Sequence, residues 1–318
     1  MTDNKIIQKY IQELTDLNID KASGIAPHQP ILLLSIIELI EQGKVSENKI
    51  NPSAELYETF IRYWSIITDR EPNLAMPFFH LKKKGFWHHQ ANPEFEKALQ
   101  VTTQIKTVTR LREIIAYGYF NDDLFDILKQ PESRELIRQS LIEKYFADRK
   151  QEIAELIIEE YKIGEYSQKI LEQVRNAFSA GEKFIPFKTN KSVRKAAFRR
   201  AIMSIYDYTC VVCRLHIMTL DNVSVTEAAH IIPFSVSGND DVRNGISLCH
   251  LHHWTFDKGL ISLNNDYTVI VSDLLVERGP DPLLLKSLIG SHILLPRKHE
   301  EYPAQEAMEY HREKVFNK

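Results

Sequence analysis

The chain has 318 residues, 43% hydrophobic and 26% charged, with a formal net charge of −3. That length can bury two separate cores, and the near-neutral balance does not by itself suggest nucleic acid. The longest apolar run, Ile31 to Ile37 broken by Ser35, is too short to cross a bilayer before Glu38 and Glu41 interrupt it.

Residues 1–150 are expected to form one mostly helical domain. Pro27 and Pro30 precede a helix from about Ile31 to Gln42 that Gly43 ends. Asn51-Pro52-Ser53 starts a second, with Leu56, Phe60, Tyr63 and Trp64 on one face. The stretch from Met76 to Trp87 reads as a hairpin, two aromatic strands around the basic turn Lys82-Lys83-Lys84-Gly85. Helices follow at about 106–116, 122–129 and 132–146. A glutamate-rich helix from about 149 to 178, closed by Ser179-Ala180-Gly181, is expected as the linker over 151–182.

The second domain, 183–318, opens on a basic run. Lys183, Lys188, Lys191, Arg194, Lys195, Arg199 and Arg200 stand there with no acidic residue among them. Such a run is the usual electrostatic footprint for a phosphate backbone, which nominates Arg194 and Arg199 for DNA contact. A helix over Ser192–Tyr206 leads to a strand within Val223–Ile231 and a loop from Ser235 to Asn244. A strand over Ile246–Leu248, a helix from His250 ended by Gly259, and a hairpin over 260–271 complete the order. Strand, loop, strand, helix around a metal is a ββα-metal unit, so the fold class is α+β.

All three cysteines lie in this domain. Cys210 and Cys213 form a C-x2-C pair, and Cys249 with His252 forms a C-x2-H pair. Two such turns each present two ligands, and four soft or borderline ligands suit a structural Zn2+. His250 and His253 stand close enough to compete for the fourth place, and spacing favours His252. An odd cysteine count clustered with histidine argues against disulfides and for metal in a reducing compartment. The residues Met1 to Lys5 lack a basic region followed by an apolar stretch, so no signal peptide is expected. A cytoplasmic location is the expectation.

Assigning His252 to zinc leaves His253 free. His253 and Asp257, four residues apart, share a helix face and can hold a hard divalent ion, Mg2+ or Mn2+. His230 on the strand is the candidate general base, since imidazole titrates near neutral pH. Asn244 is expected to bridge the loop and fix the His230 ring through its amide. His230, Asn244 and His253 are thus the catalytic candidates, and Glu227 is a further one, either for the metal or for a neighbouring arginine.

The segment from about Arg194 to Val271 resembles the HNH endonuclease family in its McrA-like restriction branch. The matching pieces are Tyr208 to Cys213, Glu227 to Ile231, Asn244 to Cys249, and His253 to Gly259. The resemblance implies endonucleolytic cutting of DNA, with His230 as base, Asn244 as positioner and His253 as metal ligand. One departure is Ala229, where many members carry an acidic metal ligand just before the base. The tail, with Ile293 to Pro296 and His311-Arg312, is expected to be a packing extension.

Residues 28–150 are similar to the sulfur-binding domains of restriction enzymes that recognise phosphorothioated DNA. The pieces are His28 to Leu34, Pro77 to Leu81, Gly85 to Trp87, and Tyr119 to Leu128. In that family a small apolar cavity receives the sulfur, which by position assigns Tyr119, Phe120 and Leu124 to the lining. Phe120 stands where the family is expected to have proline. Sulfur is larger, softer and less hydrated than oxygen, so an apolar pocket favours it while cations hold the charge. His80, Lys82, Lys83 and Lys84 are the candidates for those contacts. The resulting expectation is a modification-dependent endonuclease acting on double-stranded DNA, with a homodimer as a candidate assembly and no membrane partner. Two rivals stand beside it: an HNH nuclease that reads methylated or plain sequence, and a zinc-stabilised DNA-binding protein without catalysis.

Overall fold

A computed structural model describes residues 2–17, 27–175, 189–219, 223–281 and 284–317. The chain divides into two compact units, with the division between Ile157 and Ile158.

In the first unit, α1 (Thr2–Leu14) precedes α2 (His28–Glu41), whose run from Pro30 to Ile40 is apolar but for Ser35 and Glu38. Every residue from Pro30 to Ile40 is therefore buried, and α2 is the central helix of the unit. The next helix, α3 (Ala54–Ile67), begins where Ser53 Oγ accepts the Leu56 N–H at 3.2 Å, and it buries Leu56, Phe60, Tyr63 and Trp64.

The hairpin expected over 76–87 does not form. Residues Ala75–His80 are α4, continued by a 3-10 turn over Leu81–Lys84, and only then does β1 (Trp87–Ala91) begin. The cause is local capping and burial together. Asn73 Oδ1 accepts the Met76 N–H at 3.0 Å, and helical spacing sends Phe78, Phe79 and Leu81 into the core. After α5 (Glu96–Val101) and α6 (Val108–Ile114), β2 (Ile115–Phe120) supplies the true partner of β1, pairing antiparallel with Trp87 opposite Phe120 and His88 opposite Tyr119. The Trp87 ring lies directly on Gly118, where a Cβ would come within 2.1 Å of it. The Trp87 indole N–H also donates to the Phe78 carbonyl at 3.0 Å, so α4 and the sheet share one tryptophan. Then come α7 (Asp122–Lys129) and α8 (Pro131–Tyr145), both packed on α2.

The long helix α9 (Lys150–Glu172) puts Ile153 in the first core, while Ile163, Tyr166 and Ile170 belong to the second. Its expected end at Ser179-Ala180-Gly181, with Lys183 and Lys188 of the basic run, lies outside the described residues.

The second unit opens with α10 (Lys191–Tyr206), capped by Asn190 Oδ1, which accepts the Val193 N–H at 2.9 Å. Next come β3 (Thr226–His230), the short α11 (Phe234–Ser237) inside the expected loop, and β4 (Gly245–Cys249). β3 and β4 pair antiparallel, with Thr226 opposite Cys249 and His230 opposite Gly245. α12 (His250–Asp257) follows without a loop, since Cys249 is its N-cap, and the ββα unit is complete. α10 packs on both strands at Gly245, where a Cβ would come within 2.4 Å of Ile202 and 2.7 Å of Phe198. β5 (Ile261–Leu263) and β6 (Val269–Val271) form the last hairpin, and α13 (Gln305–Lys314) closes the unit.

The tail is a packing extension. On α13, His311 is buried and stacked on Phe256 with ring centroids 3.7 Å apart, and its Nδ1 is 2.8 Å from Ser262 Oγ. Among the described residues no helix is long and apolar enough to cross a membrane.

Candidate metal centre and nuclease site

The C-x2-C turn folds tightly after α10. The Cys210 N–H donates to the Leu215 carbonyl at 2.9 Å, and the Arg214 N–H returns to the Cys210 carbonyl at the same distance. The second pair straddles the junction of β4 and α12, so strand pairing brings Cys249 and His252 onto the first turn. Cys249 Sγ lies 3.1 Å from His252 Nδ1, Cys210 Sγ 3.5 Å from that same nitrogen, and the Cys213 and Cys249 sulfurs 4.0 Å apart. All four donor atoms fall within 4.8 Å of one another. A tetrahedron with bonds of about 2.3 Å has edges of about 3.8 Å, so three sulfurs and one imidazole fit a zinc ion. Hydrogen bonds with Cys210 and Cys213 hold the Cys249 thiol far below its ordinary range. Burial alone would lower His252, yet hydrogen bonds to Cys210 and Cys249 raise it to about 9. The same sulfur contacts hold the Cys213 thiol far above its ordinary range, so the three sulfurs and His252 share protons as one group. The three-way choice for the fourth ligand falls to His252, since His250 is exposed and His253 faces Glu227.

His230 ends β3 with its ring stacked flat on Phe198, centroids 3.8 Å apart and planes within 8°. Its Nε2 is 2.9 Å from Oδ1 of Asp240, a residue with no solvent exposure. Arg194 donates to the same oxygen at 2.7 Å, and the Tyr166 hydroxyl donates to Oδ2 at 2.8 Å.

Asn244 is fully buried and bridges the loop as expected, but it does not hold the His230 ring. Its Nδ2 donates to the carbonyls of Ile232 and Asn239 at 3.1 Å each, and its Oδ1 accepts the Ile232 N–H at 2.8 Å. The physical reason is that its carboxamide is spent on three backbone groups that would otherwise be buried without partners. Asp240 takes the imidazole instead.

On α12, His253 stands between two carboxylates. Its Nδ1 is 3.0 Å from Glu227 Oε2 on β3, and its Nε2 is 3.5 Å from Asp257 Oδ2 one helical turn on. Glu227 therefore faces the metal candidate rather than an arginine. Among the described residues only the cysteine cluster closes into a set of three or more ligand atoms within 4.8 Å. The oxygen and imidazole donors of Glu227, His253 and Asp257 are of the kind magnesium and manganese take, with water and phosphate completing the sphere.

The residues expected at DNA differ in their surroundings. Arg194 points inward to Asp240, with its guanidinium 3.4 Å over the Phe234 ring. Arg199 donates to the Thr226 carbonyl at 3.1 Å, and Arg200 pairs with Glu160. Of the described basic residues in the run, Lys191 and Lys195 are exposed. In the first unit Phe120 and Leu124 are buried core residues, Phe120 packed against Trp87 with centroids 5.0 Å apart. Lys83 is exposed, whereas Lys82 sits 3.9 Å over the Phe79 ring and Lys84 donates to the Asp16 carbonyl. His80 is half-buried, and burial together with Lys83 and Lys82 lowers its pKa. Tyr119 remains partly exposed, and its cross-strand partner His88, which the sequence reading did not single out, lies 5.1 Å from it ring to ring. His88 Nε2 is 2.7 Å from Asn121 Oδ1. The signal available was its position directly after Gly85-Phe86-Trp87.

The ββα unit thus carries a Cys3His cluster, with His230 on β3 and His253 on α12. The comparisons agree: residues 210–264 match the HNH endonuclease family, and residues 7–160 match the ScoMcrA-like DNA sulfur-binding domain. Among solved structures, a modification-dependent TagI restriction endonuclease matches at 22% identity and a TM-score of 0.32. That match covers 40% of this chain and 40% of the other. No curated protein matches.

Proposed function

We propose that the chain is a modification-dependent restriction endonuclease. Residues 1–150 read phosphorothioated double-stranded DNA, 151–182 connect, and 183–318 hydrolyse the phosphodiester. The observation that supports this is one chain carrying both a sulfur-binding domain and a ββα unit with His230, His253 and Asp257. A purely DNA-binding zinc module has no use for those three side chains. The cytoplasm is the compartment in this reading, and a homodimer cutting both strands is the assembly.

Zinc belongs to Cys210, Cys213, Cys249 and His252, where ligation is coupled to folding of the unit. His253 and Asp257, with Glu227 alongside, are the residues that would hold magnesium or manganese. Such an ion supplies charge stabilisation at the scissile phosphate and the leaving oxygen. His230 acts on water: its free ring nitrogen takes a proton as the water oxygen bonds to phosphorus. The bond from phosphorus to the 3′ oxygen breaks, and that oxygen keeps the electron pair and takes a proton from solvent. Asn244 holds the loop beneath the base. On the first unit, the partly exposed His88 and Tyr119 are the surface offered to the modified backbone, with Lys83 nearby in sequence as a cation.

The test is cleavage of one DNA sequence in phosphorothioated, methylated and unmodified forms with magnesium or manganese. Cutting confined to the phosphorothioated form is the expected result. Cutting of the methylated form alone would replace the sulfur reading, and no cutting of any form would remove the nuclease reading.

A further inference from the structure

We infer that Asp240 is a positioning residue that fixes the tautomer and plane of the His230 general base. This rests on the nuclease reading above. Donors from three elements meet on its buried carboxylate: Tyr166 of α9 on Oδ2, and Arg194 of α10 with His230 of β3 on Oδ1. A carboxylate held by these donors acts as acceptor, so the shared proton sits on His230 Nε2. The lone pair is then on Nδ1, the nitrogen left for water. Phe198 lies flat against the ring and Phe234 stands 5.7 Å from it, so the imidazole has little freedom to turn.

Asp240 does not act on DNA itself, because it has no exposed surface. Its effect passes through His230: as Nδ1 takes the proton from water, positive charge spreads over the ring toward the carboxylate. The backbone beneath it is fixed as well. Asn244 Nδ2 binds the Asn239 carbonyl, Asn239 Oδ1 accepts the Asp241 N–H at 2.8 Å, and Asp241 Oδ1 accepts the Arg243 N–H at 2.9 Å. Asp240 lies between residues anchored on both sides. This gives Asn244 a physical task although its amide bonds only to backbone: it fixes the loop that carries the partner of the base.

The experiment uses the full-length, zinc-loaded protein. Long-range nitrogen–proton NMR of histidine-labelled protein, with His230→Ala assigning the signal, should find the His230 proton on Nε2. Single-turnover cleavage of phosphorothioated duplex should slow about 100-fold in Asp240→Ala, within the range that general base catalysis supplies. Duplex affinity should stay within about twofold, since the interaction serves the transition state. Asp240→Asn keeps an acceptor for Arg194 and His230, and the Tyr166 hydroxyl can accept from the new amide, so its slowing should be about 10-fold. That variant carries the test if Asp240→Ala loses zinc or fails to fold. A proton on Nδ1, or Asp240 variants cutting at near wild-type rate while His230→Ala is dead, would overturn the positioning role and leave the base assignment intact. His230→Ala cutting at wild-type rate would instead remove the base reading, and this inference with it.

Discussion

The Asn244 carboxamide and the Ile232 peptide hold each other at both ends, the Ile232 N–H donating to Oδ1 at 2.8 Å and Nδ2 donating to the Ile232 carbonyl at 3.1 Å. This reciprocal pair closes the connection between β3 and β4 two residues beyond the base. Removing the side chain leaves buried backbone groups without partners, each costing about 1–3 kcal/mol. With three such groups, Asn244→Ala is expected to destabilise the second unit by at least about 3 kcal/mol. Asn244→Asp should be at least as damaging, since a carboxylate cannot donate to the Ile232 and Asn239 carbonyls. Urea denaturation of the zinc-loaded protein reads both, and a midpoint equal to wild type for either would show that the clamp is not needed.

One zinc per chain is expected from elemental analysis of the purified protein. Cys213→Ser removes one of the four ligands, so it should lose the ion and unfold the second unit. A chelator should do the same to the wild type. A zinc-free chain in which the second unit stays folded would contradict the knuckle.

His230→Ala should abolish cleavage, a loss of at least about 100-fold, while zinc content and duplex affinity stay near wild type. His253→Ala should lose activity and also raise the magnesium or manganese concentration needed for what remains, because it removes a metal ligand. Metal titrations of residual nicking separate the two. If both variants respond to metal alike, the division of roles between base and ligand is wrong.

The Cys3His cluster was legible because two C-x2 turns carry their geometry in their spacing, and α12 places His253 and Asp257 on one face by period alone. Asp240 was not. Its partners stand 10, 46 and 74 residues away in sequence, so their meeting is a product of packing rather than of any local pattern. The segment from Met76 to Trp87 misled for a related reason. Its aromatic run fits a strand as well as a helix, and the deciding contacts come from the Asn73 cap and the Trp87 indole reaching back to Phe78. Arg194 and Arg199 illustrate the limit of reading charge along a line: a basic run says nothing of which arginines turn inward to a carboxylate or carbonyl.

His89 makes the first unit sensitive to acid. Burial holds its pKa at about 4, Lys82 pushes the same way, and the bond to the Phe78 carbonyl only partly opposes them. The unfolded chain takes up this proton near pH 6.5 while the folded one does not until near pH 4, so unfolded molecules bind more protons in that window. Stability is full above pH 6.5 and falls toward pH 4, by up to about 3 kcal/mol. His89→Phe keeps a ring against Phe78 and Phe79 and removes the titration. Urea midpoints of the first unit at several pH values should drop on acidification in the wild type and less steeply in the variant. Parallel slopes would assign the acid sensitivity elsewhere.

Sulfur preference is the prediction on which the first unit's role turns. With full-length His230→Ala protein, which binds without cutting, a phosphorothioated duplex should bind more tightly than the same unmodified duplex. The preference comes from desolvation: an apolar surface gains by taking sulfur out of water and loses when it must strip oxygen. Lysine contacts such as Lys83 add affinity to both duplexes through counterion release, so total binding should fall as salt rises while the ratio between the duplexes persists. Tyr119→Ala and His88→Ala, altering a partly exposed cross-strand pair of the β1–β2 sheet, should reduce that ratio. Lys83→Ala should weaken both duplexes and leave the ratio alone. Gel-shift titrations at two salt concentrations separate these outcomes, and equal affinity for the two duplexes at both would end the sulfur reading while leaving the nuclease site of the second unit untouched.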